Sequence, residues 1–433
     1  MLLKFGIHNS ECGIAVSTWW TDLNNYALRI IKEEDIMRNY DLITPEGTKD
    51  LLFGECIIRR NIENSLMELF KSRGYSEIIT PGLEFFDVFN LNSRYFPQVN
   101  LYKLTDSKGR LLVMRPDSTM PIARVVATRL REAELPLKFC YDQPVYLTEP
   151  ALKGRSDEIV QTGIELIGSQ QKMADLEVIS TAVDSLRSFG MEFSLEIGHI
   201  GIFKELVGRL EATPKEKENI RKLIENKNFP ALNDFLDTFG TSSVTNALKK
   251  LPALFGGIEV FDKAEELMPD DNIKRLLEEL KDIYNDISEI CGGEASITVD
   301  LGLVNKTDYY TGLIIKGYLQ GHGEEVLSGG RYDKLISEFG YDVPAIGFAV
   351  NVNGIEKAIM KNGVFPAEKQ IDAIVYAEEG CEVAALKAAQ ELREQGLVVE
   401  NALFDDLDSV REYAREKKIA RVVVIDSESK EEE

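Results

Sequence analysis

Near its amino-terminal end the chain carries a long stretch whose apolar residues recur at steps of three and four. Ile58, Ile62 and Leu66 follow this spacing, which places them on one face of an amphipathic helix. The pattern predicts a helix over residues 51–73, and Gly74 is a typical residue for its end.

Downstream, short strand-like patterns alternate with helical ones. The segments with strand character are residues 76–80, 101–104, 111–115, 137–141, 161–168, 297–303, 312–318 and 325–328. The segments with helical periodicity are residues 120–130, 173–189, 334–338 and 350–361. Hairpin strands mixed with helices, without a strict strand–helix–strand repeat, predict an α+β sheet domain.

Two other regions have patterns of their own. From residue 202 to about 291 the chain is almost wholly helical with strong charge alternation, which we interpret as a helical insertion. Residues 370–433 begin as strand, helix, strand, helix and strand, at 371–377, 383–394, 398–404, 407–417 and 420–425, and end in an acidic tail. That alternation predicts a small α/β unit with a parallel sheet.

Length and composition narrow the class of protein. Hydrophobic residues make up 44% and charged residues 28% of the 433 residues, which is typical of a globular protein with more than one domain. No apolar run is long enough to span a membrane, and residues 1–37 lack the apolar core of a signal peptide, so we expect a cytoplasmic protein without membrane contact. The composition shift at Met37 predicts that residues 1–36 are a poorly ordered extension, with translation beginning at Met37 and the main domain covering residues 37–363.

Charge and cysteine usage bear on partners and cofactors. The 50 basic and 73 acidic residues give a formal net charge of −23, which opposes binding to a phosphate backbone. The five cysteines and three histidines show no metal-ligand spacing, and His8 near Cys12 supplies too few ligands for a zinc site. We therefore predict that the protein binds no nucleic acid, no metal and no cofactor.

Six segments, in this order, resemble the catalytic core of the class II histidyl-tRNA synthetases. They are TPEGTKD (44–50), MRPDSTMPIAR (114–124), KGR…QTGIELIG (153–168), LVNKTDYYTG (303–312), SGGRYD (328–333) and PAIGFAV (344–350). The resemblance covers about 300 residues and implies a six-stranded antiparallel sheet flanked by helices. It also implies a two-fold dimer through residues 51–89, where that family builds its subunit interface.

Three positions depart from the synthetase pattern where adenylation chemistry needs arginine. The attack of the histidine carboxylate on the α-phosphate of ATP crowds negative charge, which fixed guanidinium groups stabilise. By the resemblance these arginines fall at Leu147, Gly354 and Asn305 of this chain. Each lost contact removes about 2–4 kcal/mol of transition-state stabilisation, so we predict no adenylation and no catalytic residues.

The positions that recognise histidine in the synthetases are kept. The resemblance places a histidine pocket at Asp117, Thr119, Gln161, Glu165, Tyr309 and Tyr310. Acidic and neutral acceptors suit the ligand's ammonium, and hydrogen-bonding groups with aromatic contacts suit its imidazole. Each residue alone is explained equally well by a structural role, whereas the set of six favours a pocket. Because Asn305 stands at the arginine position, the ligand's carboxylate needs another partner, for which Arg115 and Arg331 are the candidates.

A synthetase-like core that keeps the histidine positions and lacks the ATP arginines is similar to the regulatory-subunit family of ATP phosphoribosyltransferase, the enzyme that opens histidine biosynthesis. That resemblance implies a non-catalytic subunit that forms a hetero-oligomer with the short-form catalytic subunit. It also implies feedback regulation by histidine, bound in this pocket or at the junction between the two subunits. Residues 370–433 would then be a degenerate remnant of an anticodon-binding domain.

Two other functions are compatible with the same core. A working histidine–tRNA ligase needs the three arginines and a complete anticodon domain, so Leu147, Gly354 and Asn305 argue against it. A sensor of uncharged RNA needs a basic surface, and the net charge of −23 without a Lys/Arg-rich stripe argues against that function.

Overall fold

A computed structural model describes residues 40–91, 96–148, 156–292, 296–304, 309–363 and 370–426. The chain divides into two units, Met1–Asp50 and Leu51–Glu433, and every element named below belongs to the second. The predictions for residues 1–36 and for Asn305 lie outside the described residues.

The bounds of the elements follow the chain order. The strands are β1 (Ser76–Glu77), β2 (Leu83–Phe85), β3 (Lys103–Thr105), β4 (Leu111–Met114), β5 (Leu137–Tyr146), β6 (Glu158–Ile167), β7 (Phe193–His199), β8 (Phe255–Gly256), β9 (Ser296–Asp300), β10 (Leu313–Leu319), β11 (Leu327–Arg331), β12 (Ala345–Asn351), β13 (Ala373–Ala377), β14 (Val399–Asn401) and β15 (Arg421–Ile425). The helices are α1 (Gly54–Ser72), α2 (Phe86–Phe89), α3 (Thr119–Arg129), α4 (Lys172–Arg187), α5 (Ile200–Gly208), α6 (Pro214–Glu225), α7 (Phe229–Asp237), α8 (Ser243–Lys250), α9 (Glu259–Leu267), α10 (Asp271–Cys291), α11 (Val352–Lys361), α12 (Glu382–Glu394) and α13 (Leu407–Glu416).

A nine-stranded sheet organises the second unit, in the order β1-β5-β6-β12-β11-β10-β7-β9-β8. The six strands from β5 to β7 in that order pair antiparallel, as the resemblance implied. Strand β1 joins one edge in parallel to β5, β9 joins in parallel to β7, and β8 pairs antiparallel with β9. The predicted α+β fold is confirmed, and the sheet extends beyond the six expected strands at both edges.

Helix α1 forms where the apolar spacing predicted it. Its buried residues Ile58, Ile62 and Leu66 are the predicted face, and this face packs on β5 and β6. Phe70 in its last turn meets Phe348 of β12 edge-on, with ring centroids 5.8 Å apart. The helix therefore anchors strands β5, β6 and β12 to one hydrophobic core.

Three details of the sheet domain differ from the predicted pattern. Strand β7 was not predicted, because the helical pattern that starts at Ile200 directly adjoins this short segment. The helix expected over residues 334–338 is a short 3-10 turn, Ile336–Phe339. The helix expected from residue 350 begins at Val352, because Asn351 ends β12 and its side chain accepts a hydrogen bond from Gly354 N (3.0 Å) as the helix cap.

Residues 200–291 contain α5 to α10 together with the short strand β8. Thr213 and Ser242 form capping boxes that begin α6 and α8, and Asp270 caps α10. Because β8 pairs with β9, this helical segment also contributes the last strand of the large sheet.

Residues 370–426 form a separate three-stranded parallel sheet in the order β14-β13-β15, as the alternating pattern predicted. Helices α12 and α13 bury apolar residues against the two faces of this sheet, in two small clusters. Among the helices of the described residues, none is long and apolar enough to cross a membrane.

Candidate functional site

A cavity of about 670 Å³ lies over the large sheet and brings all six predicted pocket residues together. The first turn of α3, strand β6 and the segment before β10 supply Asp117, Thr119, Gln161, Glu165, Tyr309 and Tyr310. Residues far apart in sequence thus line one half-open cavity of the size that small ligands occupy.

Glu165 lies at the bottom of the cavity with only 2% of its surface exposed. Its Oε1 accepts a hydrogen bond from Thr119 Oγ1 (2.7 Å), and its Oε2 accepts one from Tyr332 OH (2.5 Å). Burial raises the pKa of the Glu165 carboxyl to about 8, although the hydrogen bonds from Tyr332 and Thr119 act in the opposite direction. In the empty cavity at neutral pH this carboxyl therefore holds a proton that it can donate to a ligand.

A glycine on the neighbouring strand makes room for the Glu165 carboxylate. Gly347 of β12 pairs with Glu165 in the sheet, and a Cβ at Gly347 would lie 1.9 Å from Glu165 Oε2. Any side chain at Gly347 would consequently displace the acid.

Asp117 provides a second buried carboxyl at the start of α3. Its Oδ1 accepts from the backbone N–H of Met120 (2.9 Å), and its Oδ2 accepts from Tyr309 OH (3.4 Å). Burial raises the pKa of Asp117 to about 6, against the opposing effect of these hydrogen bonds. Asp117 is therefore mostly ionised at pH 7 and suits a cationic group of a ligand.

Three tyrosines form an aromatic wall beside the two acids. The rings of Tyr309 and Tyr310 are 4.8 Å apart, and Tyr332 meets Tyr309 edge-on at 5.8 Å. Lys204 of α5 donates to the carbonyl oxygen of Tyr310 (2.8 Å) and fixes this segment against the helical region. Tyr332 was not predicted as a pocket residue; the SGGRYD motif contains it, but an aromatic residue next to a strand predicts a core position equally well.

Gln161 lines this cavity, and the structure describes no partner for its side-chain carbonyl oxygen. Its Oε1 is buried and has no hydrogen-bond partner among the residues that the structure describes. An unpaired buried acceptor is unfavourable, so a ligand with an N–H or ammonium group would satisfy it.

The two arginines predicted as partners of a ligand carboxylate are both engaged elsewhere, and neither lines the cavity. Arg115 donates to Thr80 O (2.6 Å) and Gln143 Oε1 (2.8 Å). Arg331 forms an ion pair with Asp175 through Nη2 (2.7 Å). The prediction for these two residues is wrong, because each guanidinium holds separate parts of the fold together.

Two of the three positions that lack the adenylation arginine are described, and both border the same cavity. Leu147 and Gly354 line it directly. A Cβ at Gly354 would lie 3.2 Å from Val326 Cγ1 and 3.4 Å from His322 Nε2, so any side chain at this position would contact both neighbours. The lining residues include Lys227, Lys316 and Lys357 but no arginine. Across the described part of the chain, no three His, Cys, Asp or Glu side chains cluster to hold a metal ion.

Comparison with known proteins agrees with the fold. Residues 47–355 match the family model described as histidyl-tRNA synthetase. An ATP phosphoribosyltransferase regulatory subunit of Clostridium kluyveri is 44% identical over 388 residues, which cover 88% of this chain and 99% of that protein. A protein of the same description from Bacillus thuringiensis is 38% identical over 397 residues, which cover 91% of this chain and 94% of that protein.

Two solved structures have the same fold. An ATP phosphoribosyltransferase regulatory subunit/histidyl-tRNA synthetase from Bacillus halodurans has a TM-score of 0.77 and 29% identity, over 89% of this chain and 98% of that chain. A histidyl-tRNA synthetase from a Nostoc species shares the fold, with a TM-score of 0.73 and 19% identity over 90% of this chain and 93% of that chain.

The relatives that match nearly end to end confirm the predicted family, and with it the predicted regulatory rather than ligase function. The synthetase-type core, the arginine positions without arginine and these identities agree with one another. This chain belongs to the family of ATP phosphoribosyltransferase regulatory subunits, which act in histidine biosynthesis.

Proposed function

We propose that this chain binds histidine in the cavity over the large sheet and thereby regulates a short-form ATP phosphoribosyltransferase catalytic subunit in the cytoplasm. The observation that carries the proposal is that six predicted histidine-pocket residues line one cavity, while two of the positions needed for ATP chemistry, Leu147 and Gly354, lack arginine in that same cavity. The cavity is therefore suited to binding histidine without activating it.

The chemistry of each pocket group supports this ligand. Glu165 supplies a proton to an imidazole nitrogen, and Tyr309 with Tyr310 forms an aromatic wall for the ring. Asp117 and the unpaired Oε1 of Gln161 suit the ligand's ammonium. Thr119 orients Glu165 through its 2.7 Å hydrogen bond.

Regulation requires that histidine binds the inhibited arrangement of the complex more tightly than the active one. The helical region is a physical route for such coupling, because Glu225, Asn226 and Lys227 at the end of α6 line the cavity. Lys204 of α5 links the same region to Tyr310. Occupation of the cavity would therefore change the contacts of a large surface segment.

Self-association is a second part of the proposal. Within residues 51–89, where synthetase-like chains build their dimer interface, Leu52, Phe53, Ile79, Leu83 and Phe85 are exposed. Apolar side chains grouped in this way are typical of a protein–protein interface, which supports a two-fold dimer through this segment.

Isothermal titration of the purified chain with histidine tests the pocket directly. We expect binding by the wild type, and a large loss of affinity in Glu165→Ala and Tyr310→Ala. Tyr341→Ala is a matched control, because Tyr341 is partly buried but does not line the cavity. Equal affinities in all four proteins would exclude this cavity as the histidine site.

The ligase alternative has its own assay. Histidine-dependent exchange of pyrophosphate into ATP should be undetectable with the purified chain, because the transition-state cations are missing. A clear exchange signal that Asp117→Ala abolishes would contradict the proposed function.

A further inference from the structure

A histidine bound in the cavity needs a cation that neutralises its α-carboxylate. Arg115 and Arg331 are engaged elsewhere. We propose that Lys316 of β10 holds the α-carboxylate of the bound amino acid, an inference that rests on the proposed function.

The register of the sheet places Lys316 on the same face of the sheet as Glu165. Glu165 pairs with Gly347, Gly347 with Gly330, and Gly330 with Ile314, two residues before Lys316 on the same strand. Three strand spacings of about 4.8 Å separate Glu165 from β10, or roughly 14 Å between backbones. Two long side chains and one amino-acid ligand between them can bridge that distance.

Small residues lie on the sheet between Glu165 and Lys316. One transverse row runs from Gly163, which the Tyr141 side chain covers, through Ala349 and Ser328 to Lys316. Ser328, Ala349 and Lys316 all line the cavity. A ligand can therefore lie over Ala349 and Ser328, with its imidazole at the Glu165 end and its carboxylate at the lysine.

Lys316 is also the lysine of the cavity with the most sheltered charge. Its side chain is only 17% exposed, whereas Lys227 and Lys357 lie on helix ends or helix surfaces and are exposed. An ion pair gains strength as its surroundings exclude water, so Lys316 offers the strongest interaction to a bound carboxylate.

Lys316 pairs with Glu325 (Nζ–Oε2 2.7 Å), whose side chain is 44% exposed. A pair with one solvated partner contributes little, so a ligand carboxylate can replace Glu325, which then turns to solvent. Glu196, opposite Lys316 on β7, is a half-buried acid whose pKa burial raises, and the buried Asp300 on β9 is another acid of raised pKa. Lys227 supplies a second positive charge near these two acids.

The test compares histidine with histidinol, in which an alcohol replaces the carboxylate, by isothermal titration of the full-length chain. The wild type should bind histidine about 10- to 100-fold more tightly than histidinol, the difference expected for a hydrogen bond between charged groups. Lys316→Gln should lose that preference while its affinity for histidinol stays the same. Lys316→Arg should restore the preference, which separates a charge effect from a folding defect.

Two further variants serve as controls, each with an expected direction of change in histidine affinity. Glu325→Gln should bind histidine at least as tightly as the wild type, because the competing carboxylate is gone. Lys357→Gln should keep the full preference, since its charge is not used. A Lys316→Gln chain that is folded and still prefers histidine over histidinol as the wild type does would overturn this inference and leave the proposed function intact. Absence of histidine binding by the wild type would overturn both.

Discussion

Replacing Glu165 by glutamine should change how histidine affinity depends on pH. Burial raises the pKa of Glu165 to about 8 in the empty cavity, so at pH 7 roughly nine in ten of these carboxyls carry a proton. Thr119 and Tyr332 already donate to its two oxygens, so the carboxyl proton is available to a ligand nitrogen. A neutral imidazole accepts this proton, and the complex then holds one proton shared between Glu165 and the ligand.

The wild type and the Glu165→Gln variant differ in only one titratable group, the carboxyl of Glu165. Wild-type binding needs a protonated Glu165, whereas the glutamine of the Glu165→Gln variant keeps the shape and never titrates. The ionisations of histidine itself affect both proteins alike. The ratio of wild-type to variant affinity therefore reports the protonation of Glu165 alone.

The magnitude follows from the pKa of about 8. The affinity ratio should be constant from pH 6 to 7 and should fall above pH 8, so that at pH 9 it is about one tenth of its value at pH 7. Titration calorimetry of both proteins at half-unit steps of pH measures this affinity ratio. A ratio that stays flat to pH 9, or that already falls between pH 6 and 7, would refute a pKa of about 8 for the Glu165 carboxyl.

The raised pKa of Glu165 also makes the stability of the chain without ligand depend on pH. An unfolded glutamate releases its proton near pH 4.5, whereas folded Glu165 keeps its proton up to about pH 8. The folded state therefore binds more protons within this window, and its stability falls as the pH rises from 4.5 to 8. Because glutamine does not titrate, the Glu165→Gln variant does not lose this stability. It should unfold at a higher temperature than the wild type at pH 8, but not at pH 4.5.

Further predictions concern the fold, the dimer and the amino-terminal extension. Arg331→Gln leaves Asp175 buried without its partner and should lower the free energy of unfolding by about 3–5 kcal/mol in urea titration; a change below about 1 kcal/mol would contradict the role of this pair. Ile79→Glu should convert a dimer to a monomer in light scattering, whereas Leu386→Glu, at an exposed apolar residue on α12, should leave the dimer intact. A chain that begins at Met37 should keep the thermal stability and the catalytic-subunit binding of the full chain, and a loss of either would show that residues 1–36 are needed.

Much of the fold was predictable because its signals are local. The spacing of Ile58, Ile62 and Leu66 predicts α1 and its buried face without any knowledge of the neighbouring strands. The carboxyl-terminal alternation predicts a parallel sheet for the same reason. Strand β1, by contrast, pairs over two residues only, and its place at the sheet edge depends on β5 some sixty residues later.

The six pocket residues were predictable as a set because the synthetase-like motifs follow one another in the expected order. The hydrogen-bond and ion-pair partners of the residues in these motifs were not predictable. Arg331 carries no local mark that its guanidinium binds Asp175, which is 156 residues away in the sequence. Tyr332 and Lys316 became candidates only through the hydroxyl contact to Glu165 and through the sheet register. Such contacts depend on tertiary distance, which spacing along the chain does not encode.

Histidine inhibition of the assembled enzyme tests the central claim most directly. The short-form catalytic subunit, combined with wild-type or Glu165→Ala chains, should show the same activity without histidine, because the chemistry belongs to the partner. Removal of this buried carboxyl should weaken histidine binding by about 2–5 kcal/mol, so the variant complex should need at least about 30-fold more histidine for half inhibition. Superimposable inhibition curves for the two complexes would contradict the account and place the regulatory histidine at the junction between the subunits.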